Sequence, residues 1–467
     1  MRPPLVCRLP SVLAALWILV SLSPAGATPV GTVFSGPTSV DGYLAFWNPA
    51  ALTQIKGNRI DILGGASLIR ASYDRDTPSL FDGSSYPRAT LNSPKPEISL
   101  GVSLTPGHSR WRIGLAAGFP IVDGAQWATE YDGRPSSTRY FVTQGRHAYA
   151  VIRPSIAYQV TSWLSLGVSL DIYAVLVAFD SMIDFGAKIN QIACASAPAN
   201  CKLDSPVARE DPSLQGLASS SGLGWDVGAA FSFLLQPRRW ISIGGYFATG
   251  AGKIEIPVDV KIDLPSAVTD FVGSNFPSVA LPELTAIGTT STQVPLNFAV
   301  GVSIFPSPRL EIAADLYFVR RTQLQVLAAR IEQSSSPLVT DQLFVRAYDE
   351  DWLVSARVAY QLLEKLRVGV RLGYDQNARP DRFVSPISVD FDKISLMLGA
   401  TWQARPWLAL TAVYAHWFLV PRTITSSDFG PNPKPDSAVE EGLDRPSPTG
   451  RYDGSADTFA LGAAFQF

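Results

Sequence analysis

Apolar and polar positions alternate with a period of two through most of this chain. Each repeat carries four or five large apolar residues on one side and glycine, serine or arginine on the other, as in 97–105, 110–119, 163–173, 365–374 and 458–467. A period of two is typical of a β-strand. An apolar face of this length needs about 9–10 residues, which is the length of a tilted strand that crosses a bilayer.

Fourteen segments of this kind occur, with centres near Leu63, Gly101, Leu115, Ile152, Val168, Ala229, Ile243, Val300, Ala313, Ala356, Val370, Leu398, Ala412 and Leu461. Six tight turns alternate with seven long polar loops, the latter around residues 75–94, 121–146, 180–221, 250–293, 322–350, 375–391 and 420–450. Short turns at one end and long loops at the other characterise outer-membrane barrels. The pattern predicts an all-β fold, a fourteen-stranded antiparallel transmembrane barrel in a bacterial outer membrane.

A soluble β-sandwich or propeller also alternates, so it is the main structural alternative. Two features disfavour it. The second face carries Gly, Ser and Arg, which suit a lumen, and tryptophans stand at strand ends, as an interfacial girdle requires: Trp111, Trp163, Trp240, Trp352, Trp402 and Trp407. The apolar face is therefore expected to meet membrane lipid. Phe467, the terminal residue, lies on that face, and we interpret it as the signal that the barrel assembly machinery recognises.

The first residues predict export. Arg2 and Arg8 flank the start, Val12–Leu22 is apolar, and Ala25-Gly26-Ala27 forms a cleavage site, so residues 1–27 are expected to be a signal peptide. No later stretch approaches the roughly 18 consecutive apolar residues of a transmembrane helix. We assign residues 28–57 to an N-terminal plug and 58–467 to the barrel.

Composition narrows the partners. The chain is 46% hydrophobic and 17% charged with a formal net charge of −2, which argues against nucleic acid. We expect a monomer in contact with outer-membrane lipid. Once Cys7 leaves with the signal peptide, Cys194 and Cys201 remain. A pair so close in an exported chain predicts a disulfide within one loop, and a metal site is disfavoured because no histidine lies nearby.

Catalytic patterns are missing from the sequence. His108, His147 and His416 are the three histidines, and none stands in a Ser/His/Asp or metal-ligand spacing. We therefore expect no enzymatic activity, no cofactor and no metal.

A short motif precedes the first strand. Asn48, Pro49 and Ala50 occur in "FWNPAAL", after "FSGPTSVDGYLAF". This stretch resembles the plug of the outer-membrane long-chain fatty-acid transporters (FadL) and their aromatic-hydrocarbon channel relatives. Asn and Pro are also ordinary turn formers, so the motif is at least a turn.

The resemblance implies a function. Members of that family are fourteen-stranded barrels with a plug, and they admit hydrophobic compounds passively. We therefore expect a channel for long-chain fatty acids or hydrocarbons. The alternative is a general diffusion porin for small polar solutes, which would have an open charged constriction with neither a plug nor apolar loop helices.

Several charged residues alternate with the apolar positions of the strands and are therefore expected to face the lumen: Arg112, Arg153, Asp171, Asp226, Glu311, Asp315, Arg357, Arg367 and Arg371. They have two interpretations. The charges pair with one another and rigidify the lumen, or one or two arginines stay available for an acid head group, because guanidinium matches carboxylate geometry. The candidates for the second role are Arg112, Arg153 and Arg371.

The third and fourth long loops are amphipathic. Met182, Phe185, Ile189 and Ile192 of the third recur at helical spacing, and the fourth carries the apolar residues Val268, Phe271 and Phe276. Such helices can simply pack on each other as a lid. In the resembled family, the corresponding loops form a groove that captures the substrate first. The resemblance therefore implies a capture groove at Met182, Phe185, Ile189, Val268, Phe271 and Phe276.

The third strand ends in "AAGFPIVDG". In the resembled family this strand is kinked and leaves a gap towards the membrane. Pro120 lacks a ladder donor and Gly118 permits a bulge, so we expect Gly118, Phe119 and Pro120 to line a lateral opening. Pro154 in the fourth strand adds weight. The alternative is that Pro120 merely begins a loop.

Overall fold

The computed structural model describes residues 31–40, 44–107, 109–196, 207–275, 284–324, 326–335, 342–345, 347–428 and 447–467. Within these residues one sheet of antiparallel strands closes on itself, because the last strand pairs with the first from Arg59↔Gln466 to Arg75↔Gly450. This closure leaves no free sheet edge at the junction. A strand exposed to lipid requires such closure, because lipid cannot satisfy unpaired main-chain groups.

Fourteen barrel strands follow one another around the wall in chain order, and four of them are interrupted once. They are β1 Arg59–Arg75, β2 Ala89–Leu104, β3 Trp111–Gln126, β4 Gln144–Gln159, β5 Leu164–Asp184, β6 Gln215–Arg238, β7 Ile241–Ala248 and Ala251–Ile262, β8 Leu284–Val294 and Asn297–Ser307, β9 Leu310–Val319 and Val326–Ser334, β10 Gln342–Val345 and Asp351–Leu363, β11 Leu366–Asp375, β12 Lys393–Arg405, β13 Leu408–Ile424 and β14 Gly450–Gln466. Every predicted strand centre lies inside one of them, and the predicted fold class is confirmed.

The outer wall is apolar and the inner wall is small and polar. Exposed outward residues include Ile113, Leu166, Leu461 and Phe459, whereas their neighbours Gly114, Ser165 and Ala460 are buried inside. The tryptophans at the short turns are about half exposed, among them Trp111 at 50% and Trp240 at 55%. This arrangement gives lipid an apolar surface with an aromatic rim.

Several strands extend well beyond the predicted membrane-crossing length. β6 has 24 residues, and the expected long loops around 250–293 and 322–350 in fact contain paired strand segments. The reason is visible in the sequence: "GKIEIPVDVKI" keeps the period of two, with Ile254, Ile256 and Val258 buried on one side. These segments correct the predicted loop boundaries.

Helices are few and short. α1 spans Leu44–Trp47, α2 spans Phe185–Ser196 and α3 spans Ser266–Asn275, and a 3-10 helix spans Pro49–Gln54. In the part of the chain that the structure describes, none of the helices has the length and apolarity needed to cross a membrane. Met182, which the sequence pattern placed on a helical stripe, lies instead in β5, paired with Leu217, because the strand continues to Asp184.

Candidate functional site: plug, lumen and wall

Asn48 organises the turn of the plug, which we define as residues 31–40 and 44–57. The residue is fully buried. Its Oδ1 accepts from Ala50 N at 3.1 Å and caps the 3-10 helix, while its Nδ2 donates to Pro37 O at 2.7 Å and to Phe233 O of β6 at 2.8 Å. Proline follows at the first helical position, where a missing N–H costs nothing. One amide thus joins both halves of the plug to the wall.

The wall receives the plug at positions without a side chain. A β-carbon on Gly244 would lie 2.1 Å from Pro37 O, and one on Gly167 would lie 2.5 Å from Ala50 N. On the other side of the lumen, Gly369 leaves room for the ring of Phe34. Any larger residue at these positions would force the plug away from the wall.

Three buried arginines of the wall donate to main-chain carbonyls of the plug. Arg153 donates to Phe46 O, Arg357 to Phe34 O, and Arg371 to Ser35 O. Each of the three also contacts a carboxylate: Arg153 contacts Asp171, Arg357 contacts Glu311 and Arg371 contacts Asp315. The plug is therefore held by cations whose charge is compensated within the wall.

The Arg153–Asp171 pair is the most completely enclosed of these contacts. Nε and Nη2 of Arg153 each lie 2.7 Å from an oxygen of Asp171, a bidentate geometry, and Asp171 is fully buried. Tyr173 OH and Ser169 Oγ donate to the same carboxylate at 3.0 and 3.1 Å. These contacts favour the interpretation in which lumen charges pair with one another.

Arg112 is placed differently from Arg153 and Arg371. It lies at the start of β3, next to a short turn, and donates to the carbonyls of Ser109, Trp111 and Ile55. It therefore contacts main-chain groups at the turn end of the barrel.

An apolar cluster joins the plug to the lumen wall. Its large plug residues include Phe46 and Leu52, and its large wall residues include Tyr149, Val151, Tyr173, Val175, Leu234, Ile254, Ile256, Val258 and Val294. We call this set the lumen cluster. An apolar solute that enters the lumen meets a surface that matches it chemically, with few polar groups to desolvate.

The wall next to the lumen cluster is not paired throughout. β2 pairs with β3 from Leu104↔Ile113 to Ser99↔Gly118 and no further. Both strands continue and stay paired on their other sides, β2 with β1 up to Ala89↔Tyr73 and β3 with β4 up to Gln126↔Gln144. We use the term seam for the stretch in which residues 89–98 of β2 and residues 119–126 of β3 are not in register with each other.

The seam begins at an irregularity in β3. The register of β3 with β4 shifts between Gly118 and Ile121, so one extra residue is accommodated there. A β-carbon on Gly118 would lie 3.1 Å from Phe46 Cζ and 3.3 Å from Ile98 O. Phe46 therefore stands directly inside the lower end of the seam.

Pro154 lies in β4, as the sequence indicates. It pairs with Leu115 of β3, whereas residues 153 and 154 have no register partner in β5. The missing N–H of Pro154 thus interrupts the pairing of β4 with β5, on the side of β4 that faces away from β3 and the seam.

The outer ends of the loops form a lid with a polar centre. The carboxylate of Glu210 accepts hydrogen bonds from Arg75 Nη1 at 2.9 Å, Tyr86 OH at 2.8 Å and Leu80 N at 2.8 Å. The main-chain carbonyl of Glu210 accepts a hydrogen bond from Arg139. Burial raises the pKa of the neighbouring Tyr140 well above its usual range, so its hydroxyl stays neutral beside Arg139. Three long loops are joined in this way.

The two loop helices contribute to a shared apolar cluster. Phe185 of α2 and Val268 of α3 are 6% and 2% exposed and pack with Ile262, Leu284 and Ala286. Ile189 is half-buried. The side chain of Phe271 and all of Phe276 lie outside the described residues.

The remaining candidates stay apart from the lumen. Cys201 and His108 lie outside the described residues, as do the side chains of Cys194, His147 and Pro120. His416 lies on the outer wall, where its Nδ1 is 2.8 Å from Asp457 Oδ1. Arg70 and Tyr414 contact the same carboxylate.

Sequence reasoning missed several of the residues that seat the plug. Phe46, Ser232 and the wall glycines carry no chemical signature, although Ser232 Oγ accepts from Ala50 N at 3.0 Å. The usable signal was glycine at lumen-facing positions, for example Gly167 and Gly369, where a barrel without a plug would be expected to carry larger polar residues.

Comparison with known proteins gives a consistent result. The family model described as "Outer membrane protein transport protein (OMPP1/FadL/TodX)" matches residues 12–467. A search of the curated proteins finds no match.

Solved structures resemble the fold at low sequence identity. A Pseudomonas aeruginosa FadL homologue has a TM-score of 0.73 and 16% identity, covering 96% of this chain and 98% of that one. The P. putida toluene transporter TodX has a TM-score of 0.65 and 13% identity, covering 96% and 99%. The Ralstonia pickettii toluene transporter TbuX has a TM-score of 0.62 and 14% identity, also covering 96% and 99%.

Proposed function

This chain belongs to the OMPP1/FadL/TodX family of outer-membrane transport proteins, as the resemblance at Asn48–Ala50 implied, and we propose that it admits long-chain fatty acids or hydrocarbons. The observation that carries the proposal is the lumen cluster, which includes Phe46, the plug residue that contacts Gly118 at the lower end of the seam. An apolar solute gains by moving from water along such a surface.

A general diffusion porin is the weaker alternative. Such a channel needs a continuous aqueous path, whereas here Asn48, Arg153 and Arg357 tie a plug into the lumen. Conductance of the reconstituted protein separates the two. We expect small-ion conductance far below that of an open barrel, and conductance of porin size would contradict the proposal.

The proposed exit is the seam, with Gly118, Phe119 and Pro120 at its lower end. The end of β2–β3 pairing at Gly118, the register shift that follows and the contact of Phe46 with this position support it. A solute that partitions into lipid can then leave sideways without crossing the periplasm.

A reversible staple tests this exit. Ile98→Cys with Phe119→Cys places a disulfide at the first unpaired position, in a chain whose Cys194 and Cys201 are replaced by alanine. We expect oxidation to reduce uptake of labelled fatty acid at least tenfold, and reduction to restore it. The matched control is Leu104→Cys with Ile113→Cys, a staple within the paired part. Equal uptake by the oxidised and reduced seam staple would exclude the exit.

The proposed capture site is formed by α2, α3 and the adjoining end of β5, with Met182, Phe185, Ile189, Val268, Phe271 and Phe276 as the candidate residues. Phe185 and Val268 are core residues of the loop cluster, so the half-buried Ile189 is the better position to test. Ile189→Asp should weaken fatty-acid binding about tenfold while heat-modifiable gel mobility stays native. Unchanged binding would leave the helices as a lid only.

The proposed role of Arg153 and Arg371 is to hold the plug, because both already contact a carboxylate and a plug carbonyl. Arg112 stays the candidate for a transient head-group contact. Arg112→Gln should raise the Kd for a fatty acid and leave that for its methyl ester unchanged. The same Kd for the acid in both proteins would remove Arg112 from consideration.

The proposed disulfide joins Cys194 and Cys201, and Phe467 is the proposed contact of the assembly machinery. Thiol alkylation of unfolded, non-reduced protein should label neither cysteine, and two labelled cysteines would contradict the bond. Removal of Phe467 should slow insertion into the outer membrane in cells.

A further inference from the structure

The β2 side of the seam carries an unusual sequence. Residues 94–97 read Pro-Lys-Pro-Glu in the middle of a strand that runs from Ala89 to Leu104. Prolines are rare inside a paired strand because they cannot donate to a ladder. Both prolines fall within the ten residues of β2 that have no partner in β3.

The other side of β2 is undisturbed. β1 pairs continuously past both prolines, through Ala66↔Pro96 and Leu68↔Pro94, with no register shift. In an antiparallel ladder, alternate residues direct their N–H and C=O groups to alternate neighbours. Asn58 and Phe467 exchange both main-chain hydrogen bonds at the β1–β14 junction, so the odd-numbered residues of β1 face β2. Their partners in β2 are odd-numbered as well, for example Lys95 and Glu97, so the missing donors of Pro94 and Pro96 face β3.

From this arrangement we propose that Pro94 and Pro96 are positioning residues that keep the β2 edge from pairing and so hold the seam open. The proposal rests on the proposed lateral exit for its transport consequence. Without these prolines, further hydrogen-bonded pairs after Leu100↔Ala117 would extend the β2–β3 ladder towards the long loops. Two consecutive donor positions are absent, so closing the seam would gain few bonds and leave carbonyls unpaired.

The residue between the prolines strengthens the edge. Lys95 points to the lumen and is 4% exposed. An inward charge and edge prolines are two known devices by which sheets avoid unwanted pairing. At the upper end, Tyr131 OH donates to Thr90 O at 2.7 Å, so a side chain satisfies a carbonyl that a strand partner would otherwise take.

The test replaces both prolines by a strand-forming residue. We expect Pro94→Val with Pro96→Val to slow amide exchange of residues 92–98 at least tenfold, measured by hydrogen–deuterium exchange of the purified protein. Uptake of labelled fatty acid in cells should fall at least tenfold, with binding to the purified protein unchanged. The control is Pro421→Val, which alters an exposed proline at a bulge in β13.

The outcomes separate this inference from the function on which it rests. Exchange at residues 92–98 equal to that of the unmodified protein would overturn the role of the prolines. Slowed exchange with unchanged uptake would support that role and overturn the lateral exit instead. Native heat-modifiable mobility shows that the double variant has assembled.

Discussion

The plug meets the barrel in two ways, and the two contacts differ in kind. At the turn and the first half of the plug, Asn48, Arg357 and Arg371 make directional hydrogen bonds to buried groups. At the seam, Arg153 holds the main-chain carbonyl of Phe46, whereas the ring of Phe46 packs against the bare backbone at Gly118 and within the lumen cluster. The plug is therefore anchored by polar contacts to its main chain and closed at the seam by an apolar side chain.

The difference teaches which part of the plug is able to move. Breaking a buried hydrogen-bonded contact leaves donors or acceptors unsatisfied, at about 1–3 kcal/mol each. Displacing an aromatic ring by another apolar group exchanges one favourable surface for a similar one. A hydrophobic solute can therefore displace the ring of Phe46 at the seam without breaking the main-chain contacts that anchor the plug.

Removing a cation that anchors the plug main chain should have the largest effect. Arg153→Met leaves Asp171 buried without its charge partner, and loss of one member of a buried pair costs about 3–5 kcal/mol. We expect a marked fall in the unfolding temperature, read as the loss of heat-modifiable mobility. Arg153→Met with Asp171→Leu should recover much of it. A single variant as stable as the unmodified protein would contradict the anchoring role.

The Asn48 amide should come next. Asn48→Ala leaves Ala50 N, Pro37 O and Phe233 O each without this partner. We expect the docked plug to lose about 2–3 kcal/mol, and ion conductance in planar bilayers to rise accordingly. Gln54→Ala is the control, because the Gln54 amide makes a hydrogen bond at 3.3 Å to the adjacent Thr53. Equal conductance in the two variants would mean that Asn48 does not fix the plug.

Two phenylalanines of equal burial allow the apolar contact to be tested. Phe46 and Phe34 are both 6% exposed, but only Phe46 lies at the seam. Phe46→Leu should raise uptake two- to threefold, since leucine keeps most of the volume at a cost below about 1.5 kcal/mol and fills the seam less completely. Phe34→Leu should leave uptake unchanged. The same effect from both would remove the distinction between the two sides.

The sequence predicts the barrel well because lipid imposes a simple rule. Every wall strand must show an apolar outer face, so a period of two fixed all fourteen strand centres. The rule fails where a strand has no lipid neighbour. Ile254 and Ile256 face the lumen from a strand beyond the predicted boundary. The pattern likewise predicts a second strand from Glu97, whereas β2 begins at Ala89 and runs through Pro94 and Pro96.

The site was less predictable for a related reason. Parity shows that Arg153 and Asp171 face inward but not that they pair, since their contact depends on the register of β4 with β5. The seating of Phe46 on Gly118 depends on where the plug enters the lumen, and glycine carries no chemical signal of its own. Asn48 was recognisable because its motif has a resemblance outside the barrel pattern.

The upper end of the seam should show the smallest effect. Tyr131 OH accepts from Ala128 N at 3.1 Å and donates to Thr90 O at 2.7 Å, so it connects the second long loop to the free edge of β2. Tyr131→Phe removes both bonds but keeps the ring, which should cost about 0.5–1.5 kcal/mol locally. Amide exchange at residues 89–92 and 128–135 should quicken several-fold, while uptake rises less than twofold, because the lower end at Phe46 still limits passage. Tyr86→Phe is the control, since it deletes a hydroxyl bonded to Glu210 in the lid and away from the seam edge. If Tyr131→Phe raised uptake more than Phe46→Leu, the limiting contact would lie at the upper end of the seam, and the roles assigned to its two ends would be reversed.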